Sequence, residues 1–582
     1  MNLSLENLIN NKMAEVFNKF GLDAKFAMVK ISDRPDLSDF QCNGALALAK
    51  QERKNPREIA SLIANELQSD ADLSKVSVDG PGFLNLTLSD EYISSNMQKI
   101  AEDKDLGIAK VDNPHVVVLD YGGPNVAKAM HVGHLRAGVI GEAVQRIEKL
   151  VGNTVISDVH LGDWGTPMGM ILAEIINQDG DLAKATTYNI DEITEFYKRA
   201  NIRCKEDETA KENARIITAK LQDGEAEYYN AWKYIRNVSV DAVKENYLAL
   251  DVNFDLWLGE SDAHETCKEI VKIAAANNLS EVDEGATIIR LSNEDDKQKL
   301  PPVILEKSDG GFTYHTTDIA TIKMRVDDLK AQEICYFVDQ RQALHFEQVF
   351  KTVAMLNIAP NVKLSHYGFG TVNGSDGKPF KTRDGGVMTL ENLIKLSKDK
   401  VRESIPVAGE VEGYGEAEIE NLINQIAVGA IKFQDLKNNT ASGYIFDLDD
   451  FAKFEGKTGP YIQYAIARIN SILRKAKDKG LEPAQIIISN KEERDLSLKI
   501  SQLNAAVMRS HNEKEPSIIA DYAYTLAQVF SSFYNAAPIM TAESNDIAQS
   551  RLALSKLVRD ILVKLLYLLG IESPEVMLKK SM

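Results

Sequence analysis

The sequence predicts an α/β protein whose central domain is a doubly wound parallel sheet. Between about residues 111 and 445, stretches of helical periodicity alternate with short apolar runs, which are VVVLDY, TVISDV, ATIIRL, VILEK, EICYFVD and SHYGFGTV. This alternation is typical of a parallel sheet that has helices on both faces. The chain has 582 residues, which is too long for one core, so two to four domains are expected. The central domain is therefore predicted to be Rossmann-like.

Residues 1 to about 110 are predicted to form a small, separate α/β domain. Helical periodicity covers residues 5–20 and the segment KNPREIASLIANELQ, in which Pro56 suits the first helical turn. Strand-like runs lie at residues 26–31, 76–78 and 83–86. The sequence thus changes from this mixed pattern to the regular alternation near residue 110.

The alternation stops between about residues 184 and 276, where amphipathic helices take over. Ile193, Phe196, Tyr197 and Ala200 share one helical face, which predicts a helical insertion in the central domain. From about residue 446 to residue 582 helices dominate again, for example over residues 461–477 and 551–569, and the only strand signal is a weak one at residues 485–489. We therefore predict a C-terminal all-α bundle, whose last helix ends at Gly570.

The composition indicates in which compartment the protein is found and which partners are excluded. With 44% hydrophobic and 26% charged residues, and no uninterrupted apolar run of membrane-spanning length, the chain is expected to be globular and without a membrane partner. The N-terminus lacks the basic start and apolar stretch of a secretory signal. Four cysteines without CxxC spacing indicate a reducing compartment and no zinc site. We therefore expect a cytoplasmic protein.

The net charge is −19, which taken alone favours a small-molecule enzyme over a protein that binds nucleic acid. Net charge describes the field far from the protein, however, whereas phosphate contacts require only local clusters of basic residues. The charge is therefore weak evidence against an RNA partner and does not exclude one.

The segment VVVLDYGGPNVAKAMHVGHLR at residues 116–136 contains the clearest functional signal. An apolar strand ends in a turn, and the next helix begins at a His131-Val132-Gly133-His134 sequence. Ligands of parallel sheets bind beyond the carboxyl ends of the strands, where a helix N-terminus attracts phosphate. His131 and His134 share one helical face, so both imidazoles can donate to the same phosphate, and Gly133 leaves room for the nucleotide. For an isolated HxGH the alternative is a pair of surface histidines.

This segment resembles the HIGH signature of class I aminoacyl-tRNA synthetases, and with Pro124–Lys128 it is similar to that of arginyl-tRNA synthetases. Five more segments match in the same order: GDWGTPMG at 162–169, YHTTDIA at 314–320, DQRQALH at 339–345, GKTGPYIQYAIAR at 456–468 and SPEVM at 573–577. The resemblance covers nearly the whole chain. It implies a monomeric cytoplasmic enzyme that uses ATP and Mg²⁺ to join L-arginine to tRNA(Arg) through an arginyl-adenylate. It implies no DNA partner, and Mg²⁺ is expected to be held mainly by phosphate oxygens.

The resemblance also implies roles around the nucleotide. His131 and His134 would stabilise the charge on the reacting phosphate, and Gly133 would lie against the nucleotide. The family's mobile lysine loop, KMSKS, corresponds here to KPFKTR at residues 378–383, so its usual second lysine falls at about Thr382. Many arginyl enzymes compensate with a lysine before the HIGH segment. Three residues are therefore candidates for the phosphate contact, and the choice between them stays open: Lys128, Lys381 and Arg383.

Recognition of arginine requires acceptors around a planar fork of five N–H donors, and carboxylates serve it best. By resemblance the amino-acid pocket consists of five residues at predicted strand ends and on one helical face: Asp120, Asn125, Tyr314, Asp318 and Gln342. His160 ends another strand that faces the same crevice, and we assign it to the pocket too. For any single acidic residue, a helix cap or a surface salt bridge remains the alternative.

Further residues are candidates for tRNA contact. The resemblance places the tRNA elbow on the N-terminal domain, where Phe40 in SDFQCNGA could stack on an unpaired base or belong to the core. The bundle would bind the anticodon. Tyr461, Tyr464 and Arg468 share one helical face that suits base stacking and a phosphate contact, although the tyrosines could instead be packing residues. Met577 in SPEVM matches the family's chain end, but LKKSM follows it here.

Three rival interpretations remain at this point. A small nucleotidyltransferase shares the HxGH turn, but such enzymes are far shorter and lack a helical bundle. A tRNA-binding paralogue without activity would not need the intact HVGH segment and Lys128. A third alternative is another class I synthetase of the same subgroup, with a different amino acid as substrate.

Overall fold

The computed structural model describes residues 2–128, 130–292, 299–374, 376–378, 380, 388–406, 413–447 and 450–578. Its first unit, which we call the N-terminal unit, consists of α1 (Leu5–Lys19), β1 (Val29–Ile31), β2 (Phe40–Cys42), α2 (Gly44–Glu52), α3 (Pro56–Leu67), β3 (Leu73–Asp79), β4 (Phe83–Leu88) and α4 (Asp90–Glu102). The four strands form an antiparallel sheet in the order β1-β2-β4-β3. The predicted strand at residues 26–31 is shorter than expected, because Ala24–Phe26 forms a 3₁₀ turn.

The central unit follows, and its elements up to the end of the insertion are β5 (Val116–Tyr121), α5 (Val132–Val151), β6 (Thr154–Asp158), α6 (Thr166–Asp179), α7 (Ile190–Glu206), α8 (Glu208–Gln222), α9 (Ala226–Leu248) and α10 (His264–Ala276). The four helices α7–α10 agree with the predicted helical insertion. The second half of the unit comprises β7 (Glu281–Asp283), β8 (Ala286–Ile289), β9 (Val303–Glu306), α11 (Tyr314–Asp327), β10 (Glu333–Phe337), α12 (Ala343–Met355), β11 (Lys363–His366), β12 (Val372–Asn373), α13 (Leu390–Arg402), α14 (Glu416–Leu436) and β13 (Tyr444–Ile445).

A parallel sheet in the order β11-β10-β5-β6 confirms the predicted fold class. Its central strands β5 and β10 are buried on both faces, which explains their continuous apolar sequence. Asp120 pairs in register with Tyr336 on one side and with Asp158 on the other, so these side chains leave the sheet at its carboxyl edge. The sheet therefore presents polar groups at the edge where a ligand is expected.

Two of the predicted parallel strands belong elsewhere, and this part of the prediction is wrong. The runs ATIIRL and VILEK form β8 and β9, which pair antiparallel with each other, and β7 pairs with β8. The connection from β7 to β8 is a tight turn with positive φ at Glu284 and Gly285. Only antiparallel strands can be joined in this way, whereas parallel strands need a long crossover.

The C-terminal bundle contains α15 (Gly459–Asp478), α16 (Lys491–Ile500), α17 (Leu503–Glu513), α18 (Ser517–Ala536) and α19 (Asn545–Leu568). The last helix ends as predicted before Gly570, which has φ +66°, but it begins earlier than predicted because Ser544 caps it. The weak strand signal at residues 485–489 corresponds to an extended segment outside any sheet. Side chains take up its N–H groups, for example Ser550 Oγ, which accepts from Ile487 N at 2.8 Å.

No helix in the described part of the chain is both long and apolar enough to cross a membrane. The predicted domain boundaries near residues 110 and 445 stay predictions.

A buried network of charges joins the amino edge of the sheet to the bundle. Lys514 Nζ lies 2.8 Å from Glu148 Oε1 on α5 and 3.9 Å from Glu333 Oε2 on β10. Glu333 also accepts from Lys363 Nζ at 2.7 Å and lies 3.1 Å from His115 Nε2. Burial alone raises the pKa of Glu333, but the Lys514 charge and these bonds outweigh it and lower the pKa to about 2.

We expect Glu333→Gln to destabilise the protein at neutral pH. An acid whose pKa is lower in the folded state stabilises that state above its unfolded value of about 4.3, and this contribution is lost as the pH falls toward 2. The expected loss at pH 7 is about 3 kcal/mol, and it should shrink below pH 4. Urea unfolding from pH 3.5 to 7 measures it. The control is Glu265→Gln, at an exposed site, and an equal effect there would contradict the explanation.

Candidate active site

The chain turns sharply after β5, and glycine is required in this turn. Gly122 has φ +96°, and a Cβ on it would lie 2.7 Å from the hydroxyl of Tyr247. A Cβ on Gly133 would lie 2.7 Å from Cε1 of His131. Gly133 therefore allows the His131 ring to fold over the first turn of α5, a role that the sequence analysis did not anticipate.

His131 and His134 form a reciprocal cap at the N-terminus of α5. Nδ1 of His131 accepts from Gly133 N at 3.0 Å, and Nδ1 of His134 accepts from His131 N at 3.1 Å. The ring centroids are 4.1 Å apart. Because each Nδ1 accepts a backbone proton, the neutral ring carries its own proton on Nε2. Both rings can therefore donate from Nε2.

The protonation state of the two rings follows from burial. Burial, followed by the charge of Lys128, lowers the pKa of His131 below its usual value. Burial and the neighbouring His131 lower the pKa of His134 to about 3. Both imidazoles are therefore neutral at physiological pH. They offer two N–H donors at a helix N-terminus, which is a favourable place for an anion.

Met388 and Leu390 lie next to the HVGH turn and are bonded to the backbone there. Met388 O accepts from Val132 N, and Leu390 N donates to Met130 O, both at 3.1 Å. The segment that contains Lys381 and Arg383 lies outside the described residues, so their predicted roles stay predictions. Lys128 Nζ lies 4.8 Å from the ring centroid of Tyr197 on α7, a cation–π contact with the helical insertion.

Asp318 on α11 lies between two histidines at the carboxyl edge of the sheet. Its Oδ2 is 2.5 Å from His345 Nε2, and its Oδ1 is 3.7 Å from His160 Nε2. His160 has φ +42°, and its buried Nδ1 has no hydrogen-bond partner within the described residues. A non-glycine residue with positive φ and an unpaired polar atom is typical of a functional site. The structure thus brings together two of the residues predicted for the pocket.

A cavity of about 490 Å³ opens beside this group. Tyr314, at the first position of α11, and His345 line it, and so does Glu260, which the sequence analysis missed. Glu260 Oε2 accepts from Trp164 N at 3.3 Å. Burial and the charges of Asp163 and Asp318 raise the pKa of Glu260 to about 7, although His160 and the Trp164 N–H partly oppose this shift.

One sequence signal could have found Glu260. It follows the apolar run LWLG. Leu256 forms a parallel bridge with Asp158, the last residue of β6, and Gly259 forms one with Leu161 just beyond it. An acidic residue directly after such an apolar run is placed in the same way as those pocket candidates that also follow strands. We predicted only helices between residues 184 and 276, so this short extended segment was overlooked.

Asp120 does not reach the cavity. Its Oδ2 accepts from Arg325 Nη2 at 2.7 Å, and the same nitrogen donates to Asp158 Oδ2 at 2.8 Å. Arg325 is 1% exposed, and both carboxylates are buried as well. Two buried carboxylates require a cation, and α11 supplies it from within the protein. Asp120 is therefore placed at the predicted sheet edge but binds an internal guanidinium.

Asn125 and Gln342 are exposed and do not line this cavity. Asn125 lies against Gly162. A Cβ on Gly162 would be 2.2 Å from Oδ1 of Asn125. Gln342 ends a 3₁₀ turn directly after β10 and precedes α12. Both follow strands of the central sheet, as predicted, and their contact with a substrate stays a prediction.

The predicted residues of the bundle share a second cavity, which we call the bundle groove. Tyr461, Tyr464 and Arg468 line this groove of about 270 Å³. The guanidinium of Arg468 lies 4.1 Å from the ring centroid of Tyr534. Met577 is not part of the groove, because it packs against the apolar cluster between α13 and α14.

Phe40 belongs to the core of the N-terminal unit, so the stacking interpretation of this residue has to be corrected. It is 3% exposed and lies on β2, between β1 and β4. A side chain that is buried in this way cannot stack on an external base. Of the two alternatives that the sequence left open, the structure supports the core.

Comparison with known proteins identifies the family. Residues 96–448, more than half of the chain, match the family model described as tRNA synthetases class I (R), catalytic domain. The chain belongs to the class I arginyl-tRNA synthetases. Residues 3–88 match the arginyl-tRNA synthetase N-terminal domain, and residues 462–577 match the DALR anticodon binding domain. The resemblance that the sequence motifs indicated is confirmed.

Relatives of this arginyl-tRNA synthetase support the match over nearly its whole length. A protein of Hyphomonas neptunium that is named arginine–tRNA ligase is 42% identical, and the alignment covers 98% of this chain and 99% of that protein. A protein of the same name from Francisella tularensis is 41% identical over 98% of this chain and 100% of its own length. The arginyl-tRNA synthetase structure of Plasmodium falciparum matches with a TM-score of 0.78 and 25% identity, covering 98% of each chain.

Among the described residues of the synthetase, no group of three His, Cys, Asp or Glu side chains is arranged to hold a metal ion.

Proposed function

We propose that this arginyl-tRNA synthetase attaches L-arginine to tRNA(Arg), with ATP as the second substrate and an arginyl-adenylate as the intermediate. One observation supports the proposal most directly. Two neutral imidazoles lie at a helix N-terminus beyond the central sheet, and a cavity lined by the partly buried carboxyl group of Glu260 lies beyond the same sheet. The first feature suits a nucleotide phosphate, and the second suits a guanidinium.

In the first step the arginine carboxylate attacks the α-phosphate of ATP and diphosphate leaves. In the second step a hydroxyl group of the terminal ribose attacks the acyl carbon, and AMP leaves. Both steps depend on positioning and on donors aimed at developing negative charge. We assign this role to the Nε2–H groups of His131 and His134, with the nucleotide against Gly133.

The remaining phosphate contacts are assigned to three basic residues. Lys128 precedes the HVGH turn, and Lys381 and Arg383 precede Met388, which pairs with that turn. A positive charge in these places would hold the β and γ phosphates. Mg²⁺ would enter with ATP and neutralise phosphate charge, held mainly by the phosphate oxygens.

For the arginine side chain we propose Glu260 and Asp318 as the acceptors and Tyr314 as a wall of the pocket. Asp318 has its orientation fixed by His345 and His160, so one carboxylate is preorganised before the substrate arrives. Glu260 is partly buried and forms no salt bridge with a described residue, which leaves it available for the guanidinium. Asn125 and Gln342 are assigned to the amino and carboxylate end of arginine, because both are exposed and follow strands of the central sheet.

We expect the KM for arginine to rise as the pH falls below 7. With a pKa of about 7, Glu260 is largely neutral at pH 6 and ionised at pH 8, and only the ionised form pairs fully with a guanidinium. The KM should rise by up to about tenfold per pH unit below pH 7 and level off above pH 8. Steady-state kinetics from pH 6 to 8.5 measures this dependence. In Glu260→Gln the KM should be high and independent of pH, and the original slope in that variant would contradict the assignment.

For tRNA we propose two points of contact. The bundle groove would take anticodon bases on Tyr461 and Tyr464 and a phosphate on Arg468. The N-terminal unit would contact the tRNA elbow, and the exposed apolar side chains of Met28, Ile31 and Leu37 support this role. Met577 would act only through packing against the apolar cluster between α13 and α14. We further propose that the enzyme is a cytoplasmic monomer.

The proposal is tested by aminoacylation with each of the twenty amino acids, in the presence of ATP and tRNA. We expect charging with arginine alone and release of AMP. Preference for another amino acid would mean that the enzyme is a class I synthetase with a different substrate. ATP-independent tRNA binding without any charging would leave a tRNA-binding paralogue and overturn the proposal.

A further inference from the structure

Arg494, on α16 of the bundle, contacts three points of the N-terminal unit. Its Nη2 donates to Asp39 Oδ2 at 2.6 Å and to Leu88 O at 3.0 Å, and its Nη1 is bonded to Asp90. These acceptors lie directly before β2, at the end of β4 and at the start of α4. We call this contact the clasp. A planar guanidinium bonded to several acceptors fixes orientation as well as distance.

The geometry of Asp39 indicates that the clasp is a built contact. Asp39 lies in the SDFQCNGA motif, and its side chain is 8% exposed. Besides the bond from Arg494 Nη2, its Oδ2 accepts from Leu88 N at 2.8 Å. The carboxylate thus belongs to the framework of the N-terminal unit and presents a fixed acceptor to the bundle. The motif that we expected to contact tRNA through Phe40 contacts the bundle instead.

Three further hydrogen bonds continue the same interface. On α4, Ser94 Oγ accepts from Ile488 N at 3.1 Å and Gln98 Oε1 accepts from Ile486 N at 3.3 Å. Asn504 Oδ1 on α17 accepts from Ala109 N at 2.8 Å. The extended segment around Ile487 is also bonded to Ser550 on α19. The N-terminal unit is therefore tied to the bundle that contains the bundle groove.

We propose that Arg494 is a positioning residue for tRNA, because the clasp sets the separation between the N-terminal unit and the bundle groove. The inference rests on the proposed function, in which both surfaces contact one tRNA molecule. Two linked contacts increase affinity only when their spacing matches the span of the ligand. Loosening the clasp lowers the effective concentration of the second contact and leaves the arginine and ATP sites unchanged.

The test compares Arg494→Met and Arg494→Lys with the control Arg509→Met. Arg509 lies on α17 of the same bundle, is 66% exposed and is bonded to Glu513 of its own helix. Steady-state aminoacylation gives the KM values for tRNA, arginine and ATP. In Arg494→Met we expect the KM for tRNA to rise about tenfold, with the KM values for arginine and ATP within about twofold at saturating tRNA. Arg494→Lys should be intermediate, because it keeps the charge and loses the fork.

An unchanged KM for tRNA in Arg494→Met would overturn the inference, and so would an equal rise in the KM for arginine. If that variant does not fold, Asp90→Asn replaces it, at a position where the side chain is 51% exposed. Its KM for tRNA should rise by a smaller factor, and no rise would overturn the inference. Failure of the proposed function would appear differently, as absent charging by the unaltered chain. In that case the inference is tested by measuring the dissociation constant for tRNA in the same variants.

Discussion

Asp318→Asn is expected to lower kcat/KM for arginine by a factor between about 30 and 4,000. Truncating the charge of one partner in a buried, hydrogen-bonded pair costs about 2–5 kcal/mol, much of it because the other charge remains buried without its partner. The amide also loses an acceptor for the guanidinium fork, while the bond from His345 can still form. Most of the loss should therefore appear in the KM for arginine, which steady-state aminoacylation separates from kcat.

The matched control for this prediction is Asp327→Asn on the same helix, α11. Asp327 is bonded to Lys323 one turn away and is half exposed, so its loss should change kcat/KM by less than about twofold. Citrulline, the neutral analogue of arginine, supplies a second measurement. Its inhibition constant should change much less than the KM for arginine in Asp318→Asn. Equal changes for both molecules would show that Asp318 does not recognise the charge.

The local patterns of the sequence were sufficient for much of the fold. The β5 strand, the start of a helix at HVGH and the helical face that carries Tyr461, Tyr464 and Arg468 all depend on residues within a few positions of one another. Helical and strand periodicity, and cap preferences, act over that range. The same reasoning assigned ATIIRL and VILEK to the wrong sheet. The periodicity of a strand does not specify its partner, and the turn at Glu284 and Gly285 was not recognised.

The missed features of the site depend on contacts between distant parts of the chain. Asp120 was predicted to bind the substrate because it ends a strand. In the structure it is paired with Arg325, about two hundred residues later, and no local sequence pattern indicates that pairing. Its contact with the substrate stays a prediction. Glu260 lies near the end of a segment that was predicted to be wholly helical. The sequence could not decide whether Phe40 lies in the core or on the surface, because a buried aromatic residue and one that stacks on a base have the same local sequence pattern.

The pairing of Asp120 leads to the second large effect. Arg325→Met is expected to destabilise the protein by about 3–5 kcal/mol at pH 7, because it leaves Asp120 and Asp158 buried without their cation. Methionine fills most of the volume of the arginine side chain, so the loss of stability is due to the missing charge and not to a cavity. Urea unfolding measures it. The control Arg290→Met is exposed and bonded to Glu281, and it should change stability by less than about 1 kcal/mol.

The pH dependence of this variant distinguishes lost charge pairing from disturbed packing. Buried carboxylates without a cation take up protons more readily, and a neutral carboxyl group costs less to bury. The destabilisation of Arg325→Met relative to the unaltered chain should therefore be smaller at pH 5 than at pH 8. Combining it with Asp158→Asn should recover part of the stability at pH 8, since one buried charge is removed. A loss that is independent of pH, with no recovery in the double variant, would mean that Arg325 acts through packing and that the two carboxylates do not depend on its charge.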